Sequence, residues 1–249
     1  VHELLGHGVS AWLLGGTFEG LALMPDGMGW AAAYSPDHPN LVLASGVIAG
    51  VAFGLLMVSL AYNLVHPIVR LTCLLFATCS LQDALPYAFW NSVFPRPPGD
   101  FGRILLDLQS EALRWLLVIG FGIAYLAASL GCNLALFRTV QSVVGRLTKT
   151  QAAVLAYGVF GIGGGITWFG FDWNQLIEGI GRLPQFVGAG LQLATAPLLV
   201  AICKHDAQQI TVPARVWTVA IATAWFVAAA LIFVLVAWLQ HGVYWSTRQ

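Results

Sequence analysis

Residues 41–63 read Leu-Val-Leu-Ala-Ser-Gly-Val-Ile-Ala-Gly-Val-Ala-Phe-Gly-Leu-Leu-Met-Val-Ser-Leu-Ala-Tyr-Asn, with no charged side chain. A hydrocarbon core takes about 20 apolar residues as one helix. A stretch apolar on every side suits lipid rather than a water-facing surface. Similar runs follow at 68–90, 114–137, 151–169, 186–203 and 217–240, and a shorter one at 1–14 is closed by Gly15-Gly16. The expectation is an all-α polytopic membrane protein, a single membrane domain over 1–249 with about six or seven transmembrane helices. Composition agrees: of 249 residues, 58% are hydrophobic and 9% charged, with mean hydropathy +0.78. Soluble chains carry roughly 25% charged residues. Eleven basic against eleven acidic residues argue against a nucleic-acid partner.

Charge alternates between the loops. Segments 64–70, 138–149 and 204–215 collect Arg70, Arg138, Arg146, Lys149, Lys204 and Arg215 against Asp206. Loop 16–40 holds Glu19, Asp26 and Asp37 and no base. Basic loops favour the cytoplasm, so 16–40 is expected to face outward. The chain opens Val-His-Glu without Met or a signal-like run, and a preceding segment, another membrane helix, is expected. Gly46, Gly50 and Gly54 recur every four residues, as do Gly161 and Gly165, a stripe that lets helices approach closely in lipid. Cys73, Cys79, Cys132 and Cys203 lie in apolar runs and read as small buried packing residues.

Ionisable residues are costly in lipid, so those near spans are the first functional candidates. The densest group is His2-Glu3-Leu4-Leu5-Gly6-His7-Gly8. Zinc hydrolases use H-E-x-x-H, which stacks two histidines on one helical face with the glutamate beside the metal. Here the histidines are five apart. A regular helix turns about 100° per residue and would splay them by roughly 140°. A π-bulge, which adds a residue to a turn, repairs this, and Gly6 and Gly8 tolerate such a distortion. Alternatively Glu3 and His7, four apart, are both ligands and His2 stands behind them. The bland reading is an interfacial helix end.

Downstream come Gly15-Gly16, then Leu23-Met24-Pro25-Asp26-Gly27-Met28-Gly29, and a span with Ala44-Ser45-Gly46 and Ala49-Gly50. This pattern resembles the site-2-protease group of membrane zinc metallopeptidases, its small bacterial branch above all. That group has His-Glu-x-Gly-His, a small-residue helix, Gly-Gly and a short extended pair with a Pro/Asp/Gly turn. The Gly6-His7 pair matches directly and His2-Glu3 matches shifted by one residue. The resemblance covers about residues 1–110, a metallopeptidase-like core, leaving 111–249 as additional transmembrane helices.

It implies Zn2+ on three protein ligands with one position open. His2 and His7 are two of them. In the resembled branch the third is an aspartate opening a helix after Gly or Ser, which fits Gly99-Asp100-Phe101, so Asp100 stands first and Asp83, inside Leu81-Gln82-Asp83-Ala84, is the alternative. The family's longer Asn…Pro…Leu-Asp-Gly motif is absent. Asp100 is equally a plain helix N-cap, and Asp83 equally an interhelical hydrogen-bonding group, with Gln82 or Asn91. In the implied mechanism zinc lowers the pKa of water towards ~7, and Glu3, as general acid/base, passes the proton to the leaving amine. The hairpin around Pro25-Asp26-Gly27 is expected to offer a strand edge to an unwound membrane-protein or peptide substrate. The location implied is the bacterial inner membrane. Two other functions compete: an inactive member of the same fold, and a small-solute transporter or structural subunit using Asp83. His38, His66, His205 and His241 read as interfacial, and Trp168, Trp173, Trp238 and Trp245 as an aromatic belt.

Overall fold

The computed structural model describes residues 1–23, 29–64, 66–95, 100–108, 110–144, 234, 238–239 and 242–244. The expected spans 151–169 and 186–203 lie outside these residues, as do all but three positions of 217–240. The Pro25-Asp26-Gly27 turn, Gly161, Gly165, Cys203, His205, His241, Trp168, Trp173 and Trp245 lie outside them too.

The chain starts with a π-helix, His2–Gly8, that runs directly into α1, Val9–Leu13. Gly15, at φ +71°, ends it, a left-handed conformation open to glycine without strain. Strands β1, Thr17–Leu23, and β2, Gly29–Tyr34, then pair antiparallel with a bulge between Phe18 and Gly20. Three long helices carry the mass: α2, Pro39–Asn63, α3, Pro67–Val93, and α5, Glu111–Val144, with the short α4, Asp100–Leu106, before the last. Pro39 and Pro67 each open their helix, where a missing N–H costs nothing. A two-residue strand β3, Val243–Tyr244, pairs with β1 on the side away from β2, giving the order β2-β1-β3.

Among the described residues three helices are long and apolar enough to cross a membrane, α2, α3 and the Glu111–Ser142 part of α5. The expected count of six or seven is therefore not supported. The helix of the opening segment ends at Leu13. The helix that Asp100 opens is short: α4 ends at Leu106 and α5 starts at Glu111.

Helix α3 is the centre of the packing. Leu81 and Leu85 meet Tyr125 and Cys132 of α5, while Ala84 and Ala88 meet Val47 of α2. The glycine stripe explains the second contact: a Cβ on Gly50 would lie 2.8 Å from the Ala84 Cβ, and one on Gly54 would lie 2.5 Å from Leu81 Cγ. Ser80 Oγ also donates to the Gly50 carbonyl at 2.8 Å, closing the α2–α3 seam. The cysteines depart from expectation. Cys132 is buried, but Cys73 is half-buried and Cys79 exposed, since an apolar run in a bilayer can face lipid as readily as protein.

Candidate metal centre

In a π-helix the bonded partner is five residues back rather than four. The Gly6 amide accordingly reaches the Val1 carbonyl at 3.0 Å. Residues five apart then stack, and the His2 and His7 rings meet edge to face with centroids 4.9 Å apart. The one-residue excess in the motif is taken up by the backbone.

The turn lies hard against α2. A Cβ on Gly6 would be 2.5 Å from Gly46 Cα, and one on Gly46 would strike the His2 imidazole. Gly46 therefore serves the first segment rather than the α2–α3 seam. His7 is 5% exposed, and its Nδ1 donates to the Val42 carbonyl at 2.7 Å. That commitment leaves Nε2 with a free lone pair, the arrangement of a metal-ligating histidine anchored through its other nitrogen.

Asp100 comes to the same point from the start of α4. Its Oδ2 is 3.0 Å from His7 Nε2 and 3.9 Å from His2 Nε2. Its own amide donates to the Tyr87 hydroxyl at 2.9 Å, so a side chain of α3 caps α4 and fixes where the carboxylate begins. The Tyr87 ring also meets the His2 ring edge to face at 5.7 Å. Burial disfavours the charged Asp100, but the His2 and His7 imidazoles outweigh it and hold the carboxyl well below the usual carboxylate range. A depressed carboxyl contributes to stability above its unfolded pKa, about 3.9, and loses that contribution only as pH falls towards the native value. Asp100 is thus ionised throughout the neutral range.

One atom of each of His2, His7 and Asp100 lies within 4.8 Å of the others. His7 Nε2 is buried, and Asp100 Oδ2, 3.0 Å away, is not set for a well-directed hydrogen bond with it. Buried polar atoms are nearly always satisfied, and an orphan calls for a missing ion or water. Two imidazoles and a carboxylate are a donor set that suits zinc, so the residues fit the group. Glu3 is half-buried beside them, within the electrostatic reach of His2, His7 and Asp100.

The structure thus brings together His2, His7 and Asp100, with Glu3 adjacent. Asp83 stays outside the cluster, on an exposed position of α3. The polar groups suggested as its partners are engaged elsewhere: Gln82 Nε2 donates to Ser129 Oγ at 3.0 Å and Asn91 Nδ2 to the Tyr87 carbonyl at 2.8 Å. His38 and His66 are exposed at the starts of α2 and α3. Sequence reasoning missed Val42, Gly46 and Tyr87 as supports. The anchor of His7 is a backbone carbonyl, which any residue type supplies, so no side-chain pattern marks it.

Residues 1–84 match the model of a family described as Peptidase M50B-like. No curated protein and no solved structure matches the chain. The matched segment holds His2, Glu3, His7 and Gly46, while Asp100 lies beyond it. Through those residues the first third of the chain is similar to the Peptidase M50B-like family, a site-2-protease-like group.

Proposed function

We propose that the protein is a zinc-dependent peptidase that hydrolyses peptide bonds at or within the bilayer. The observation that carries this reading is the convergence of His2, the buried His7 and Asp100, one donor atom of each lying within 4.8 Å of the others. His2, His7 and Asp100 are the residues that would hold Zn2+. When bound, the ion supplies Lewis acidity towards water and the scissile carbonyl.

The chain's own groups do the rest. Val42 fixes the His7 tautomer by taking its Nδ1 hydrogen. Tyr87 sets the start of α4 and with it the Asp100 carboxylate. Glu3, next to one ligand in sequence and half-buried, takes a proton from the attacking water and returns it to the departing amine. The outer edge of β2 offers backbone groups to an extended substrate: β1 lies between β2 and β3, so one side of β2 has no strand beside it among the described residues. The substrate class is a membrane protein or peptide, and the setting is the bacterial inner membrane.

Metal analysis of protein purified in detergent tests the reading. About one zinc per chain is expected, as for a single site built from three protein ligands, with loss in His7→Ala and in Asp100→Asn and retention in Asp83→Asn. Metal-free wild-type protein after zinc reconstitution would point to an inactive member of the fold. Zinc lost on Asp83→Asn and kept on Asp100→Asn would move the third ligand to α3.

A further inference from the structure

We propose that Ser10 and Ser45 are positioning residues for the metal site, a hydroxyl pair that fixes the π-helix against α2 and holds His7 in place. The inference rests on the zinc-binding reading above. It goes beyond that reading by assigning a role to two side chains that touch neither ion nor substrate.

Ser10 Oγ donates to the Gly6 carbonyl at 2.5 Å and lies 3.2 Å from the carbonyl of His7 itself. It also meets Ser45 Oγ across the helix interface at 2.7 Å. Ser45 Oγ in turn lies 2.5 Å from the Val42 carbonyl, the acceptor that anchors His7 Nδ1 at 2.7 Å. The pair therefore touches the backbone of His7 at one end and the anchor of its imidazole at the other.

Each serine has a single hydroxyl hydrogen, yet the two oxygens make close contacts with Gly6 O, Val42 O and each other. The short Ser10–Gly6 and Ser45–Val42 contacts are donations to carbonyls, and the Val42 carbonyl, with two lone pairs, accepts from Ser45 and from His7 Nδ1 together. The 2.7 Å contact between the two hydroxyls couples these acceptors across the interface, whichever hydroxyl donates in it. A serine bonding a carbonyl one turn back in its own helix is ordinary. Here two such serines, one on each element, also bond each other across the boundary that the metal site straddles. Loss of either hydroxyl lets the π-helix shift relative to α2, and His7 moves with it.

The test is a double-mutant cycle on metal affinity, read by competition with a chromophoric chelator and by the visible spectrum of the Co2+-substituted protein. Ser10→Ala and Ser45→Ala should each weaken zinc about 10–100-fold, the range for groups that support ligands from behind. The double variant should be no worse than the weaker single, because one chain of bonds is broken in all three. Ser10→Thr, which keeps the hydroxyl, should restore affinity and the wild-type Co2+ spectrum. Thermal unfolding of the metal-free proteins separates site from fold: the melting temperatures should stay close while the affinities part. Wild-type affinity in both singles, or costs that simply add, overturns the proposal while leaving the zinc reading intact. Wild-type protein that takes up no ion overturns both.

Discussion

Glu3 and Asp100 are both acids beside the same histidines, and their surroundings give them different work. Asp100 is drawn into contact, 3.0 Å from His7 Nε2, and kept ionised by both imidazoles. Glu3 projects from the same π-helix as the histidines and stays out of the cluster of donor atoms. In the proposed function one acid would bind the metal and the other exchange protons. Replacing Glu3 by Gln keeps shape and removes basicity, so zinc content should be unchanged. Cleavage of a membrane-embedded reporter should fall about 10²–10⁴-fold, the usual contribution of a positioned acid/base. Undiminished cleavage would remove Glu3 from the chemistry. At this scale His2, Glu3 and His7 were legible as a motif, and Asp100 as an acid opening a helix after Gly99. Tyr87 was not, because nothing in Leu85-Pro86-Tyr87 announces that its hydroxyl will receive an amide hydrogen from thirteen residues away.

The opening element decides whether a five-residue spacing can work. The inserted residue could be read in the sequence as a distortion, and the π-helix His2–Gly8 is the form it takes. What the sequence left open was which repair is used, since Glu3 and His7 are correctly spaced for a regular helix. Gly46 settles the local packing, because His2 lies flat on α2 only where that helix lacks a side chain. Leu4 and Leu5 are each 46% exposed, so changing their number disturbs little packing. Deleting Leu5 brings the histidines to four apart, about 40° on a regular helix, and zinc binding should survive. Adding an alanine between Leu4 and Leu5 sets them six apart, about 120° on a regular helix, and zinc should be lost. Equal zinc in both variants would mean that the spacing does not govern the site. The glycine stripe gives a second contrast. Gly46→Ala drives a methyl into the His2 ring and should abolish metal binding. Gly50→Ala meets Ala84 in the α2–α3 seam and should lower stability by about 1–3 kcal/mol, with the zinc content of the folded fraction unchanged.

For the whole molecule, hydropathy made α2, α3 and α5 plain, since each carries a long, mostly apolar run. Among the described residues three of the expected spans are present as long apolar helices. Taking the ends of α2 and α3 as the membrane faces gives the depth of the site. Ser45 and Gly46 are a few residues inside the start of α2, and Tyr87 is a comparable distance from the end of α3. At 1.5 Å per residue this is roughly 10 Å from one membrane face, on the side of loop 16–40 and of α4. Which face that is follows from charge: Arg70 marks the opposite end of the α2–α3 pair, and basic loops stay in the cytoplasm. The mouth of the site should therefore open outward, towards substrates reached from outside the cytoplasm. In a variant with the native cysteines replaced, Asp37→Cys should react with a membrane-impermeant maleimide on intact cells. Arg70→Cys should react only after the membrane is permeabilised. The reverse pattern would invert the chain and turn the same histidines towards cytoplasmic substrates, leaving the chemistry of the site untouched but changing which peptide bonds can reach it.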